Sequence, residues 1–345
     1  DQFDNFIRYS QTFYHSNPNS KIQNLNLFDS TISHNKYSLL ENEDRECISL
    51  IVNFNENISY KFVKSKIKIK KNLTYEEADK LIIKDEKWRR LIKKISNYWK
   101  VVDSHTLVEQ MMIFYNSKMG EELNKKNINF PIRIHKGINQ EFADKYFETF
   151  EGETELFKKI CYHSAEYINS NNEKTFHYGL NLELYTHSTS PLRRNIDYLI
   201  QKIYSFHEKY DIDKICEVIN NSNKNIKNAY RDIIKLKLVE KFSSEIDDRY
   251  YKAVIIRLDS NYISVYIEKL DIMHSIKITS KISDVFNLNV VNDVMKIRHK
   301  SKTDEIELKL FDKILLEVMV TPYESNLNKK IRFYIRKPNF LSLIN

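Results

Sequence analysis

Two arginines in succession, Arg193 and Arg194, follow the dipeptide Ser190-Pro191, and Asp197 stands four residues after the first of them. A serine before a proline reads as the N-cap and first position of a helix, because the hydroxyl accepts from a free N–H and the ring presets φ. The helix so started would bury Leu192, Ile196, Leu199, Ile200 and Ile203 as one stripe. Arg193 would then sit in the first turn, where free N–H groups and the positive end of the dipole favour an anion. Two guanidinium groups added there suit a phosphate. Asp197, on the same face as Arg193, would hold that guanidinium in one orientation. The plainer alternative is a capped surface helix with an ordinary ion pair, which contributes little. A serine hydrolase assembled from His187, Ser190 and Asp197 is excluded, because Ser190 precedes a helix-starting proline and the chain has no Gly-x-Ser-x-Gly elbow.

Other polar groups carry weaker signals. Glu109, Met112 and Asn116 recur at i, i+3 and i+7, which sets a carboxylate and an amide on one helix face. By itself that is a solvated face. Glu245-Ile246-Asp247-Asp248 is an acidic run just before a stretch of strands, and reads as a solvated loop. Cys47, Cys161 and Cys216 are widely spaced with no Cys-x-x-Cys pair, so neither a zinc site nor a disulfide framework is implied, and a reducing compartment fits.

The elements that must position these groups change character along the chain. Cys47–Phe54 is a strand by its β-branched content. Thr74 followed three residues later by Glu77 makes a capping box, opening a helix expected to reach about Trp99. A second helix starts after Asp103-Ser104 with Leu107, Val108, Met111, Met112, Tyr115 and Met119 as its apolar stripe, and more helices are expected around 140–170, 191–209 and 212–238. After about residue 240 the period becomes two, with strands at 250–256, 262–267, 275–278, 305–310, 313–320 and 330–335 and a turn at Asp259-Ser260-Asn261.

The 345 residues exceed the usual size of one core, so two domains are expected. With 41% apolar and 30% charged residues the chain has a globular mixture. A net charge of +8 favours a polyanion, and 22 Tyr interleaved with Lys and Arg suit base stacking along a single strand, although most rings belong to the core. No apolar run approaches the roughly 20 residues needed to span a bilayer, and no signal peptide or Lys-rich amphipathic anchor stands out. We therefore expect a cytoplasmic or nuclear protein that does not bind membranes. The chain opens at Asp1 in a segment that reads as mid-domain, as a processed product or excised fragment would.

Tyr185-Thr186-His187-Ser188-Thr189-Ser190-Pro191-Leu192-Arg193-Arg194-Asn195-Ile196-Asp197 resembles the signature Tyr-x-His-Phe-Thr-Ser-Pro-Ile-Arg-Arg-Tyr-x-Asp of the RNase II (RNB) family, with His177-Tyr178-Gly179-Leu180 matching the His-x-Gly-Leu before it. Asp44-Arg45, Leu73–Ala78, Leu107–Met112 with Asn116, Ile132–His135 and Asn220–Ala229 resemble further blocks in family order. Leu310-Phe311-Asp312-Lys313-Ile314 is similar to a late barrel strand of the family. The resemblance implies an α+β protein in two parts. Residues 1–240 would be a partial RNB catalytic domain, a mixed sheet with a long helical middle that lacks the aspartate-bearing segment. Residues 241–345 would be a small antiparallel OB-type barrel that binds RNA.

The activity so implied is 3′-to-5′ exoribonuclease action on single-stranded RNA, releasing nucleoside monphosphates by magnesium-assisted phosphodiester hydrolysis. Arg193 would contact the scissile phosphate and Arg194 a neighbouring one, with Asp197, Asn116, Tyr185 and His187 also lining the substrate path. Glu109 would accept from the terminal ribose 2′-hydroxyl. This chain holds no metal ligands in that scheme, the magnesium-binding aspartates would lie upstream of it, and the missing N-terminal part or other chains would be its partners in a larger assembly. Ser188 and Asn195 replace aromatic residues of the signature, which weakens packing or stacking there. The alternative is a catalytically inactive homologue kept as an RNA-binding or structural subunit.

Overall fold

The computed structural model describes residues 10–14, 25–55, 57–172, 175–244, 249–260, 262–277, 286–301 and 305–338. Strand β1 (Asp44–Phe54) pairs antiparallel with β2 (Ile58–Lys68), from Asp44 opposite Lys68 to Phe54 opposite Ile58. Strand β1 is legible in the sequence but its partner is not, because Lys61, Lys64, Lys66 and Lys68 interrupt the apolar pattern of β2. Phe62 gives β2 its anchor, with its ring 5.2 Å from Tyr115 and 5.7 Å from Tyr204.

The Thr74–Glu77 capping box is present and starts α1 (Tyr75–Lys84). The single helix expected to Trp99 is two helices. Asp85 takes extended backbone angles and caps α2 (Glu86–Ser96) by accepting from the N–H groups of Lys87 and Trp88. Asp103 caps α3 (Ser104–Lys125) in turn. The region expected to be helical around 140–170 contains α4 (Gln140–Phe147), α5 (Glu155–Cys161) and then a strand, β4 (Glu166–Asn169), paired antiparallel with β3 (Pro131–Ile134). Helices α6 (Asn195–Phe206) and α7 (Ile212–Ser244) follow. Among the described residues of this region the sheet takes the form of two antiparallel ribbons, and parallel pairing is confined to the bridges Glu41–Ile69 and His135–His177.

Contacts divide the chain into two units, 1–137 with 164–226, and 138–163 with 227–345. The first unit is centred on fully buried Met119, Leu123, Phe130 and Ile132, with Ile196, Leu199, Ile200 and Ile203 of α6 and Ile215 and Ile219 of α7. In the second unit an antiparallel five-stranded sheet has the order β12-β11-β5-β6-β7, formed by Ile331–Lys337, Lys313–Val320, Tyr250–Leu258, Tyr262–Ile267 and Ile272–Lys277. It curls until its two edges meet, with the His274 ring of β7 4.6 Å from Phe333 of β12. A three-stranded sheet, β8 (Phe286–Val291), β9 (Val294–His299) and β10 (Glu305–Lys309), shares its core through Met295 and Leu308. The fold is thus α+β, with a curled antiparallel half-barrel.

Strands β8 and β9 were not expected from sequence. They are joined by Asn292 and Asp293 with φ of 51° and 60°, the left-handed pair of a type I′ hairpin turn. The acidic run 245–248 and Asn261 of the expected turn lie outside the described residues. No described helix is long and apolar enough to cross a membrane.

Candidate functional site

The segment 185–194 is an extended loop held from behind by buried polar groups of the first unit. The Arg133 N–H donates to the Tyr185 carbonyl at 2.7 Å, and the Thr186 hydroxyl donates to the Pro131 carbonyl at 2.7 Å, which fastens the loop to β3. Asn116 of α3, only 1% exposed, serves the next residues. Its Nδ2 donates to the Tyr185 hydroxyl at 3.1 Å, while its Oδ1 accepts from the Ser188 N–H at 2.9 Å and the Ser188 hydroxyl at 3.3 Å. Gln201 of α6 donates to the Ser188 carbonyl at 2.9 Å. Ser188 is fully buried, so the aromatic it replaces has become a hydrogen-bonded junction rather than a packing loss.

The start of α6 differs from the sequence reading. Ser190 and Pro191 are not its cap and first residue. The Ser190 carbonyl accepts from the N–H groups of Arg193 and Arg194, closing a turn, and the helix starts only at Asn195. Capping runs backwards, because Asp197 Oδ1 accepts from the Ser190 N–H at 2.8 Å and from Arg194 Nη2 at 2.8 Å. Asp197 is fully buried and therefore pairs with the half-buried Arg194, not with Arg193 as its spacing suggested. Burial pushes its carboxyl above the usual carboxylate range, against the pull of the Arg194 charge. Asp197 Oδ2 and Arg194 Nε are buried with no hydrogen-bond partner among the described residues. Arg193 is exposed, its carbonyl accepts from the Thr12 N–H at 2.8 Å, and its guanidinium makes no ion pair or hydrogen bond among the described residues.

One flank of the loop is a wall of rings. His187 Nδ1 and the Tyr167 hydroxyl share a 2.5 Å hydrogen bond, and the Tyr185 ring lies 5.3 Å from His187 and 5.4 Å from His177. Burial, reinforced by the positive charges of Arg194 and Arg133, holds His187 down at about 2, and burial with the His135 charge holds His177 at about 4. Both rings are neutral at physiological pH, so this wall is uncharged while the arginines beside it are charged. Arg133 stacks over the Tyr167 ring at 4.9 Å. Asn220 of α7 fixes Tyr167 by donating to its carbonyl at 2.8 Å and accepting from its N–H at 2.9 Å.

The structure therefore joins Asn116, Tyr185, His187, Arg194 and Asp197 in one network, with Arg193 at its edge. Glu109 is not part of it. The face shared by Glu109, Met112 and Asn116 runs from solvent into the core, and Glu109 is exposed with no ion pair or hydrogen bond among the described residues. Arg133, Tyr167 and Asn220 were missed as site residues; only the block around Arg133 and the one beginning at Asn220 gave a signal. A hard divalent cation takes several oxygen ligands. Here the one buried carboxylate is committed to a guanidinium, and no group of three or more His, Cys, Asp or Glu placed to hold a metal ion occurs among the described residues. These residues do not fit a magnesium site.

The profile of the RNB domain family matches residues 20–102 and 86–209. Ribonuclease R of Chlamydia muridarum (strain MoPn / Nigg) is 22% identical over 321 residues, covering 71% of this chain and 46% of that protein. The fold is similar to Mycoplasma genitalium RNase R in complex with ribose methylated single-stranded RNA, with a TM-score of 0.68 at 15% identity, covering 97% of this chain and 64% of that one. It is also similar to yeast Ssd1, a pseudonuclease, with a TM-score of 0.57 at 14% identity, covering 87% of this chain and 46% of that one. The chain spans less than half the length of the Chlamydia relative, and the likeness to the solved structures concerns the fold alone.

Proposed function

The chain belongs to the RNB domain family, and from that membership we propose that it supplies the phosphate-holding part of a 3′-to-5′ exoribonuclease that hydrolyses single-stranded RNA to nucleoside monophosphates. The observation that carries this reading is the contrast inside the arginine pair. Arg194 is locked to a buried carboxylate, whereas the adjacent Arg193 presents an exposed guanidinium with no protein partner among the described residues. A guanidinium held by a rigid loop, with no carboxylate to quench it, is preorganised for a phosphate and for charge developing on it during hydrolysis. Arg194 adds fixed positive charge and a contact to a neighbouring phosphate. Tyr185 and Asn116 serve from behind, and His187 and Tyr167 give the substrate path an uncharged side. Glu109 is the carboxylate we assign to a ribose 2′-hydroxyl.

Magnesium, held by aspartates in upstream sequence, would supply water activation and charge neutralisation. What this chain's own residues do is bind and orient the phosphate. The curled sheet of the second unit is proposed as the OB-type RNA-binding part. A cleft of about 1330 Å³ there is lined by Tyr262, Lys277, Arg332 and Tyr334 among others, rings and charges suited to stacking and phosphate contact. A second reading, a catalytically inactive homologue that only binds RNA, is favoured by the lack of a metal-holding group among the described residues.

Residues 1–345 alone should bind single-stranded RNA with strong salt dependence and release no monophosphates with magnesium. The longer protein should release them and stop when a chelator is added. Binding without release by the longer protein would leave the inactive reading, and failure to bind RNA would sink both.

A further inference from the structure

We propose that the solvent face of α2, with the last turn of α1, is a second RNA-contact surface that grips the ribose–phosphate backbone without reading its sequence. The proposal rests on the RNA-binding reading above, but on different residues. Helix α2 carries Lys87, Arg89, Arg90, Lys93 and Lys94 against a single carboxylate, Glu86, in 11 residues. Helix α7 carries seven cations against four carboxylates in 33 residues. All five cations of α2 are exposed, and at 3.6 residues per turn they fill the side opposite buried Ile92 and Ile95. Lys80 and Lys84 of α1 extend the surface.

Several lysines of other helices pair with a carboxylate on the same helix. Lys118 pairs with Glu121 at 2.6 Å, Lys126 with Glu122 at 3.3 Å, Lys145 with Glu141 at 3.0 Å and Lys158 with Glu155 at 2.8 Å. On α2 only Arg90 has such a partner, Glu86 at 2.5 Å, and Arg89 donates to the Ile83 carbonyl. The ammonium groups of Lys87, Lys93 and Lys94 make no ion pair or hydrogen bond among the described residues.

The helix gains from only part of this arrangement, the Arg90–Glu86 pair and the placement of Lys93 and Lys94 in its last turn, where cations favour the dipole. Arg89–Lys93 and Arg90–Lys94 are like-charged i,i+4 neighbours, and Lys87 in the first turn opposes the dipole, all unfavourable. A polyanion laid along the face would relieve the repulsion. An anionic membrane would need a broad apolar face, but positions 86, 87, 89, 90, 93 and 94 are all charged, and exposed apolar groups beside them are limited to Leu91 and, in the last turn of α1, Ile83. Lysine ammonium groups are point charges suited to phosphates rather than to base edges, so the grip would be blind to sequence.

The test compares two triple variants of residues 1–345 that lose equal charge. Lys87→Gln/Lys93→Gln/Lys94→Gln removes unpaired lysines of α2, and Lys126→Gln/Lys145→Gln/Lys158→Gln removes paired lysines elsewhere. Glutamine keeps helix propensity, and far-UV circular dichroism checks the fold. Affinity for homopolymeric single-stranded RNAs of different base would be measured from 0.05 to 0.3 M salt. We expect the α2 variant alone to bind on the order of tenfold or more weakly at 0.1 M salt, equally for each RNA. Its slope of log affinity against log salt should shrink by about two, at about 0.7 for each lost phosphate contact. Equal losses in both variants, or an unchanged slope in the α2 variant, would overturn the proposal, as would unchanged RNA binding with lost adhesion to phosphatidylserine vesicles. If unmodified residues 1–345 bind none of the RNAs, the RNA-binding reading itself fails, and this surface with it.

Discussion

The loop 185–197 and helix α2 are both rich in charge, and the fold uses that charge in opposite ways. In the loop, Asp197 is fully buried and engages Arg194 and the Ser190 N–H, and Asn116 meets three groups of Tyr185 and Ser188. Burial there converts polar groups into geometry, because each one left unpaired in a low dielectric is costly. On α2 the lysines remain in water, fix no geometry and leave their charge for another molecule. Arg193 combines the two conditions, rigid in its backbone and free at its guanidinium.

Breaking the loop should therefore cost stability, and stripping α2 should not. The largest effect is expected from Asp197→Ala, which leaves Arg194 half-buried without its counter-charge. Urea unfolding should show a loss of about 3–5 kcal/mol, the scale for removing one partner of a buried pair. Lys94→Ala should stay within about 0.5 kcal/mol of the parent. If the two substitutions cost the same, the contrast between the regions is wrong.

Asn116→Ala comes next, at about 1–3 kcal/mol, because the Ser188 N–H loses its acceptor inside the protein. The test that distinguishes a local role is hydrogen exchange, which should speed at Ser188 and stay slow in the five-stranded sheet of the second unit.

Acid should act on the loop as well. The folded His187 pKa, near 2, lies below the 6.5 of an ordinary imidazole, so the unfolded chain takes up a proton that the folded chain refuses. The stability it contributes is complete above pH 6.5 and declines as pH falls, by about 2 kcal/mol at pH 5. His177, held at about 4, slopes the same way. His187→Gln should flatten the decline between pH 7 and 5, and an unaltered slope would mean that the imidazole already protonates in the folded state.

Legibility in the sequence followed locality. The buried stripe of α6, the Thr74 capping box and the period-two strands of the second unit were readable because each depends on neighbours a few residues apart. Strand β2 was hidden by its lysines, and β8 and β9 by short runs whose clue was the Asn292-Asp293 turn. Around the candidate site, the signature marked the segment 185–197 but not the residues that hold it in place. Asp197 was paired with the wrong arginine because i,i+4 spacing assumes a helix already formed at Arg193, and the helix starts two residues later. Tyr167 lies 20 residues from His187 and 53 from Asn220, so only the tertiary fold brings the three together.

The most direct test of the proposed phosphate-holding role is single-turnover cleavage of a short RNA, with magnesium, by the proposed longer protein, comparing Arg193→Lys with Arg194→Lys. Lysine keeps the charge but loses the planar two-point contact. Arg193→Lys should lower the rate by on the order of a hundredfold to a thousandfold, about 2.7–4 kcal/mol of transition-state stabilisation, with little change in RNA affinity. Arg194→Lys should be milder. Small, equal effects from both substitutions would contradict the assignment and reduce Arg193 to one cation of a basic surface.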